Sequence, residues 1–190
     1  MKKRLTKIAL AASLLCLPAF AVADDEYNSL FAIEGGYSNV NLDVSPTTED
    51  IQTNGFGNAG LKIGAESENY RVFLSARYYD AKDFTKLDTF GAEVQYKFNF
   101  AKEANFFLGG NIGKAYATVA QKGTVPSADV SSGYLGADAG FNFHASKMVD
   151  LELGARYMRF DKTITQNGYT YDFTSMVTGY ASVIIKWKMD

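Results

Sequence analysis

The chain's single histidine stands two residues ahead of a serine, in Phe141-Asn142-Phe143-His144-Ala145-Ser146. At that spacing an imidazole can activate a hydroxyl if an acid orients it, and Asp150 and Glu152 are the acids that follow. No other histidine exists for a second triad. The one cysteine, Cys16, lies near the amino terminus, so the ligands of a typical zinc site are missing. Asp43, Glu49 and Asp50 in DVSPTTED have the oxygen chemistry of a loose calcium site, though a solvated acidic loop is the plainer account. The doublets Gly35-Gly36 and Gly109-Gly110 fall inside strand-like runs and form no phosphate loop. No cofactor or metal is expected.

What positions these residues begins after a leader. Lys2, Lys3, Arg4 and Lys7 precede an apolar run from Ile8 to Phe20, and Ala21-Val22-Ala23 offers a small-residue cleavage site. Residues 1–23 therefore read as a cleaved signal peptide and 24–190 as one domain. Cys16 goes with the leader, and the mature chain then has neither disulfides nor thiol chemistry. Of the 19 Lys and Arg in the chain, four lie in the leader, which leaves a mature net charge of −6 against 21 Asp and Glu. An acidic chain of this kind gives no sign of a nucleic-acid partner.

Period-two alternation marks eight strands, near 30–44, 55–66, 70–82, 89–100, 106–121, 132–145, 150–165 and 174–188. Their connections alternate in kind. SEN, AKEAN and ASKMVD are short, whereas VSPTTEDIQTNG, KDFTKLD, KGTVPSADVS and QNGYTYDF are longer and rich in Pro, Asn, Asp and Thr. Short periplasmic turns and longer extracellular loops are the pattern of an outer-membrane barrel. The expected fold is thus all-β, an eight-stranded antiparallel up-and-down transmembrane barrel. A spanning sheet must close, because open edges cannot be satisfied in lipid.

The faces of the strands set the orientation. In FGAEVQYKFNF, Phe90, Ala92, Val94, Tyr96, Phe98 and Phe100 alternate with Gly91, Glu93, Gln95, Lys97 and Asn99. Across the strands the polar face is mostly Gly, Ser and Asn with scattered charges. Small residues suit the confined bore of an eight-stranded barrel, and charges buried there must pair. Glu34, Lys62, Glu66, Arg71, Arg77, Glu93, Lys97, Asp138, Glu152, Arg156 and Lys186 are accordingly expected to form an ion-pair network in the lumen, with the oily face toward lipid.

Aromatics gather at the strand ends, as two interfacial girdles require. Phe31, Tyr70, Phe98, Phe100, Phe106, Phe107, Phe141, Phe143 and Trp187 fall at one end; Tyr37, Tyr78, Phe90, Tyr116, Tyr134 and Tyr157 fall at the other. Two strands fit poorly. The first changes parity between Tyr37 and Val40, and the fifth sets Lys114 on an oily face or demands a bulge.

From LFAIEGGY at Leu30 to VIIKWK at Lys188, the chain resembles the small OmpA/OmpX-type outer-membrane β-barrel family. That resemblance implies an integral outer-membrane location in a Gram-negative envelope, contact with lipid and lipopolysaccharide, and a last strand read by the barrel assembly machinery. Val183, Ile185 and Trp187 supply its alternating apolar face, with Ser182 where a glycine is usual. The His-x-Ser pair also resembles that of outer-membrane lipid A deacylases. Lys147 stands where those enzymes carry asparagine, however, and the expected topology puts His144 at a periplasmic turn, away from the outer leaflet. The expected function is non-enzymatic and envelope-structural, with extracellular loops available for adhesion or a host ligand; Tyr169, Tyr171 and Phe173 are the loop residues best suited to contact. The alternatives are a narrow channel or carrier for small or apolar solutes and a lipid A-modifying enzyme.

Overall fold

The computed structural model describes residues 27–46 and 55–188. The expected leader 1–23 and the loop acids Glu49 and Asp50 lie outside the described residues. Eight strands follow one another: β1 (Asn28–Ser45), β2 (Phe56–Glu66), β3 (Tyr70–Asp80), β4 (Phe84–Phe98), β5 (Ala104–Val119), β6 (Ala128–His144), β7 (Val149–Gln166) and β8 (Tyr169–Lys188). Each pairs antiparallel with its sequence neighbours, and β8 returns to pair with β1, so the sheet closes into a barrel.

One end of the barrel carries only the short turns 67–69, 99–103 and 145–148. The other end differs from the expectation. KDFTKLD and QNGYTYDF are mostly strand, because β4 already starts at Phe84 and β8 at Tyr169. Their turns shrink to residues 81–83 and to Asn167-Gly168. Both residues of the latter pair take positive φ, 53° and 81°, the type I′ geometry that matches the twist of a tight hairpin. What were expected to be loops are therefore strands that run on past the bilayer.

The same extension explains the two misfits. Even-numbered residues of β1 point inward throughout, from Leu30 through Glu34 and Ser38 to Val40 and Leu42, and Tyr37 stays outward. No change of parity occurs. The chemistry of the faces changes instead: beyond Ser38 the outward residues are Asn39, Asn41 and Asp43 and the inward ones apolar. On β5, Lys114 likewise points outward without a bulge, paired in register with Phe90 and Gly133.

Candidate functional site: the barrel interior

In the half nearer the short turns, β1, β2, β3, β4, β7 and β8 each contribute charge to the bore. Glu34 on β1 is 2.8 Å from Arg77 on β3, 2.8 Å from Arg156 on β7 and 3.2 Å from Lys62 on β2. Arg77 and Arg156 also reach Glu93. Glu152 joins Lys62 at 2.8 Å to Arg71 at 3.0 Å. Arg71 passes the chain on to Glu66, which also meets Lys97 and Lys186. Arg71 on β3 and Glu152 on β7 stand four strands apart in the ring of eight, so that pair crosses the bore and ties opposite walls, while Glu34 reaches to the next strand but one on either side. Lys62 lies 5.0 Å above the Phe73 ring, and the Arg156 guanidinium lies 4.4 Å from the Tyr180 ring, further favourable contacts for cations without water.

Of the eleven residues expected in this network, Asp138 stands apart. Its carboxylate accepts hydrogen bonds from the Gln95 amide at 2.7 Å and from Asn111 at 3.4 Å. Asp150 joins the network unforeseen, 3.0 Å from Lys186 and 3.5 Å from Arg71. Its parity with Glu152 and Arg156 on one face of β7 was the available signal; its place beside a turn, and its candidacy as a catalytic acid, hid it.

Nearer the long-loop end the interior is apolar. Val40, Leu42, Phe56, Tyr79, Phe84, Leu87, Val119, Val130, Met158, Phe160, Phe173 and Met176 belong to one buried cluster. Phe84 on β4 meets Phe173 on β8 edge-on at 6.0 Å, closing the bore from wall to wall. Between the halves lies a polar belt, in which Asn58 donates to Ser38 at 2.8 Å and the Ser38 and Thr178 hydroxyls meet at 2.8 Å.

Three expected surface contacts are thereby corrected. Tyr171 is 0% exposed and Phe173 4%, and Tyr169 packs against the same cluster. β8 begins earlier than the loop reading assumed, so alternation turns odd-numbered residues at this end inward. The Tyr171 hydroxyl donates to the Pro126 carbonyl at 2.6 Å, latching β8 to the β5–β6 connection. Two girdle assignments change for the same reason of parity: Tyr134 and Phe107 point into the bore. Glycines at 91 and 113 leave room for the Tyr134 ring, since a Cβ at either would collide with it. Tyr37, Tyr78, Phe90, Tyr116 and Tyr157 remain outward, as do Tyr70, Phe98, Phe141, Phe143 and Trp187.

His144 sits at the short-turn rim. Its Nδ1 meets Asp150 at 2.8 Å, and its Nε2 meets the Asn105 amide at 3.3 Å. The Ser146 hydroxyl accepts instead from the Met148 amide within the turn, at 3.1 Å. Both imidazole nitrogens are thus engaged away from the serine. Among the described residues, no group of three or more metal-binding side chains converges.

The profile of the outer membrane protein beta-barrel domain family matches residues 8–181. Among solved structures, Neisserial surface protein A superposes with a TM-score of 0.66 at 19% identity, covering 84% of this chain and 97% of that one. The N-terminal β-barrel domain of Pseudomonas aeruginosa OprF gives 0.60 at 8% identity over 86% and 98% of the two chains. OprG from the same organism gives 0.52 at 15% identity over 87% and 99%. No curated protein sequence matches the chain. The chain belongs to the outer membrane protein β-barrel family, and its place is the bacterial outer membrane.

Proposed function

We propose that this outer-membrane barrel acts without catalysis and without a standing pore, as an envelope-structural protein whose outer end makes surface contacts. The observation that carries this reading is the doubly closed interior: ion pairs bridge the bore in one half and aromatic and aliphatic side chains fill it in the other. An eight-stranded barrel has little width to spare beyond its own side chains.

The contacts would be made by backbone more than by aromatic side chains. Past Arg159, no ladder partner on its β6 side is found for β7 among the described residues, although β6 starts at Ala128 and β7 runs to Gln166. Unpaired strand edges above the membrane are templates for an extended partner segment. The Ser132 hydroxyl, donating to the Phe160 carbonyl at 2.9 Å, secures the base of that opening.

The test is the barrel with residues 162–172 replaced by a two-residue turn, checked for folding by its mobility shift on heating in SDS. Binding of whole cells to protein-coated surfaces should fall if this reading holds. Unchanged binding by a folded variant would remove the surface role.

A further inference from the structure

At its outer end the barrel wall is open along one seam. Beyond the pair Leu135 and Arg159 no ladder links β6 to β7 among the described residues, although both strands run on. The Ser132 hydroxyl takes the Phe160 carbonyl at 2.9 Å, so a side chain stands where a backbone bond would draw the two strands together. Each strand is laddered on its other side, β6 to β5 and β7 to β8. Residues 128–134 and 160–166 therefore present two free edges, whose backbone groups need a partner or water. Neither stretch contains proline, one of the guards that natural proteins set on exposed edges.

The two edges complement each other. Carrying the register of Leu135 and Arg159 outward sets Ser131 against Thr163, Val130 against Ile164 and Asp129 against Thr165. Val130 and Ile164 lie on the inward face with the apolar cluster, and the other four residues lie on the exposed face. Apolar thus meets apolar and polar meets polar, along strands that run in opposite directions. The outward wall just below the seam is built of small residues: Ala139 on β6 pairs with Ala155 on β7, and Ala137 comes next on the same row. Side chains of that size let two walls approach closely inside a membrane.

We propose that this seam is the interface of a homodimer within the membrane plane, in which β6 of each copy pairs with β7 of the other about a twofold axis along the membrane normal. That axis sets each free edge against its complement and closes the assembly at two copies. Both new ladders are antiparallel. A single extended segment entering the seam would lie antiparallel to one edge and parallel to the other, the less stable pairing. Two β7 edges meeting each other in one membrane would run parallel and leave β6 unpaired. The inference rests on the reading of these edges as contact surfaces, and it names a second copy of this chain as the partner.

The experiment is disulfide trapping in the outer membrane of cells that make two differently tagged copies in a Cys16→Ser background. One copy carries Asp129→Cys and the other Thr165→Cys, both exposed positions, and copper phenanthroline with oxygen takes up the electrons of the two thiols. A product bearing both tags is expected. Asp129→Cys combined with Thr174→Cys, exposed on β8, should give none. Folding is verified by the heat-dependent mobility shift. Native mass spectrometry of the barrel in detergent micelles then reads the dimer without cross-linking. Thr165→Lys, opposite Asp129, should tighten the dimer about tenfold and Thr165→Glu loosen it about tenfold, since the symmetry repeats each cross-strand charge pair. Folded protein that is monomeric in micelles and gives no doubly tagged product overturns the dimer, as does equal trapping through Thr174→Cys. If the dimer fails while replacement of residues 162–172 still lowers cell binding, the edges serve another partner and the proposed function stands. A trapped dimer with cell binding unchanged by that replacement supports the dimer and removes the wider surface role.

Discussion

The two halves of the bore solve one packing problem with opposite chemistry. Where the wall outside is lipid, the inside is charged; where the wall outside meets water, the inside is apolar. The membrane half can leave its outward residues oily at no cost, so the lumen is free to be polar provided every charge finds a partner. Beyond the girdle the outward face must be polar, and the hydrophobic effect returns to its usual direction, with Leu87, Met158 and Phe173 inside. One alternating strand such as β1 serves both halves without changing parity.

The halves should therefore fail differently. The largest loss is expected from Arg156→Ala, which leaves Glu34 and Glu93 short of a buried counter-ion and should cost about 3–5 kcal/mol. Urea unfolding in lipid vesicles reads this, with the chain's only tryptophan, Trp187, as the fluorescent reporter. In the apolar half, Phe173→Ala should cost about 3 kcal/mol by opening a cavity against Phe84. The contrast sharpens with a pair. Lys62→Met together with Glu152→Leu should lie within about 1.5 kcal/mol of wild type and be milder than either single change, because the pair is removed whole while Glu34 keeps Arg77 and Arg156 and Arg71 keeps Glu66 and Asp150. No such rescue is available for Phe173. The smallest effect is expected at the hairpin, where Gly168→Ala at φ 81° should cost about 1 kcal/mol in the same unfolding assay.

Strand number, order and closure were legible in the sequence because the lipid-facing rows of β2, β3, β4 and β6 alternate without interruption, and the charge set stood out on the opposite rows. The far end was harder to read. At Tyr37 and at Lys114 the polarity of a face inverts while the backbone continues, and a pattern that scores faces by hydrophobicity takes this for a slip of register. The Asn167-Gly168 pair was a hairpin signal in plain view, outweighed by the expectation of a long loop, and Tyr171 and Phe173 were misplaced with it. Which cation meets which carboxylate across the bore was not legible, since Glu34 and Arg156 are far apart in sequence and meet only when the barrel closes.

The inversion itself is tested most directly by single cysteines in a Cys16→Ser background, probed on intact cells with a membrane-impermeant maleimide. Asn41→Cys, outward and above the girdle, should be labelled. Leu61→Cys, outward and 52% exposed but facing lipid, and Met176→Cys, inside the apolar half at 1% exposure, should not be. Labelling of Leu61→Cys from water, with Asn41→Cys protected, would contradict the account.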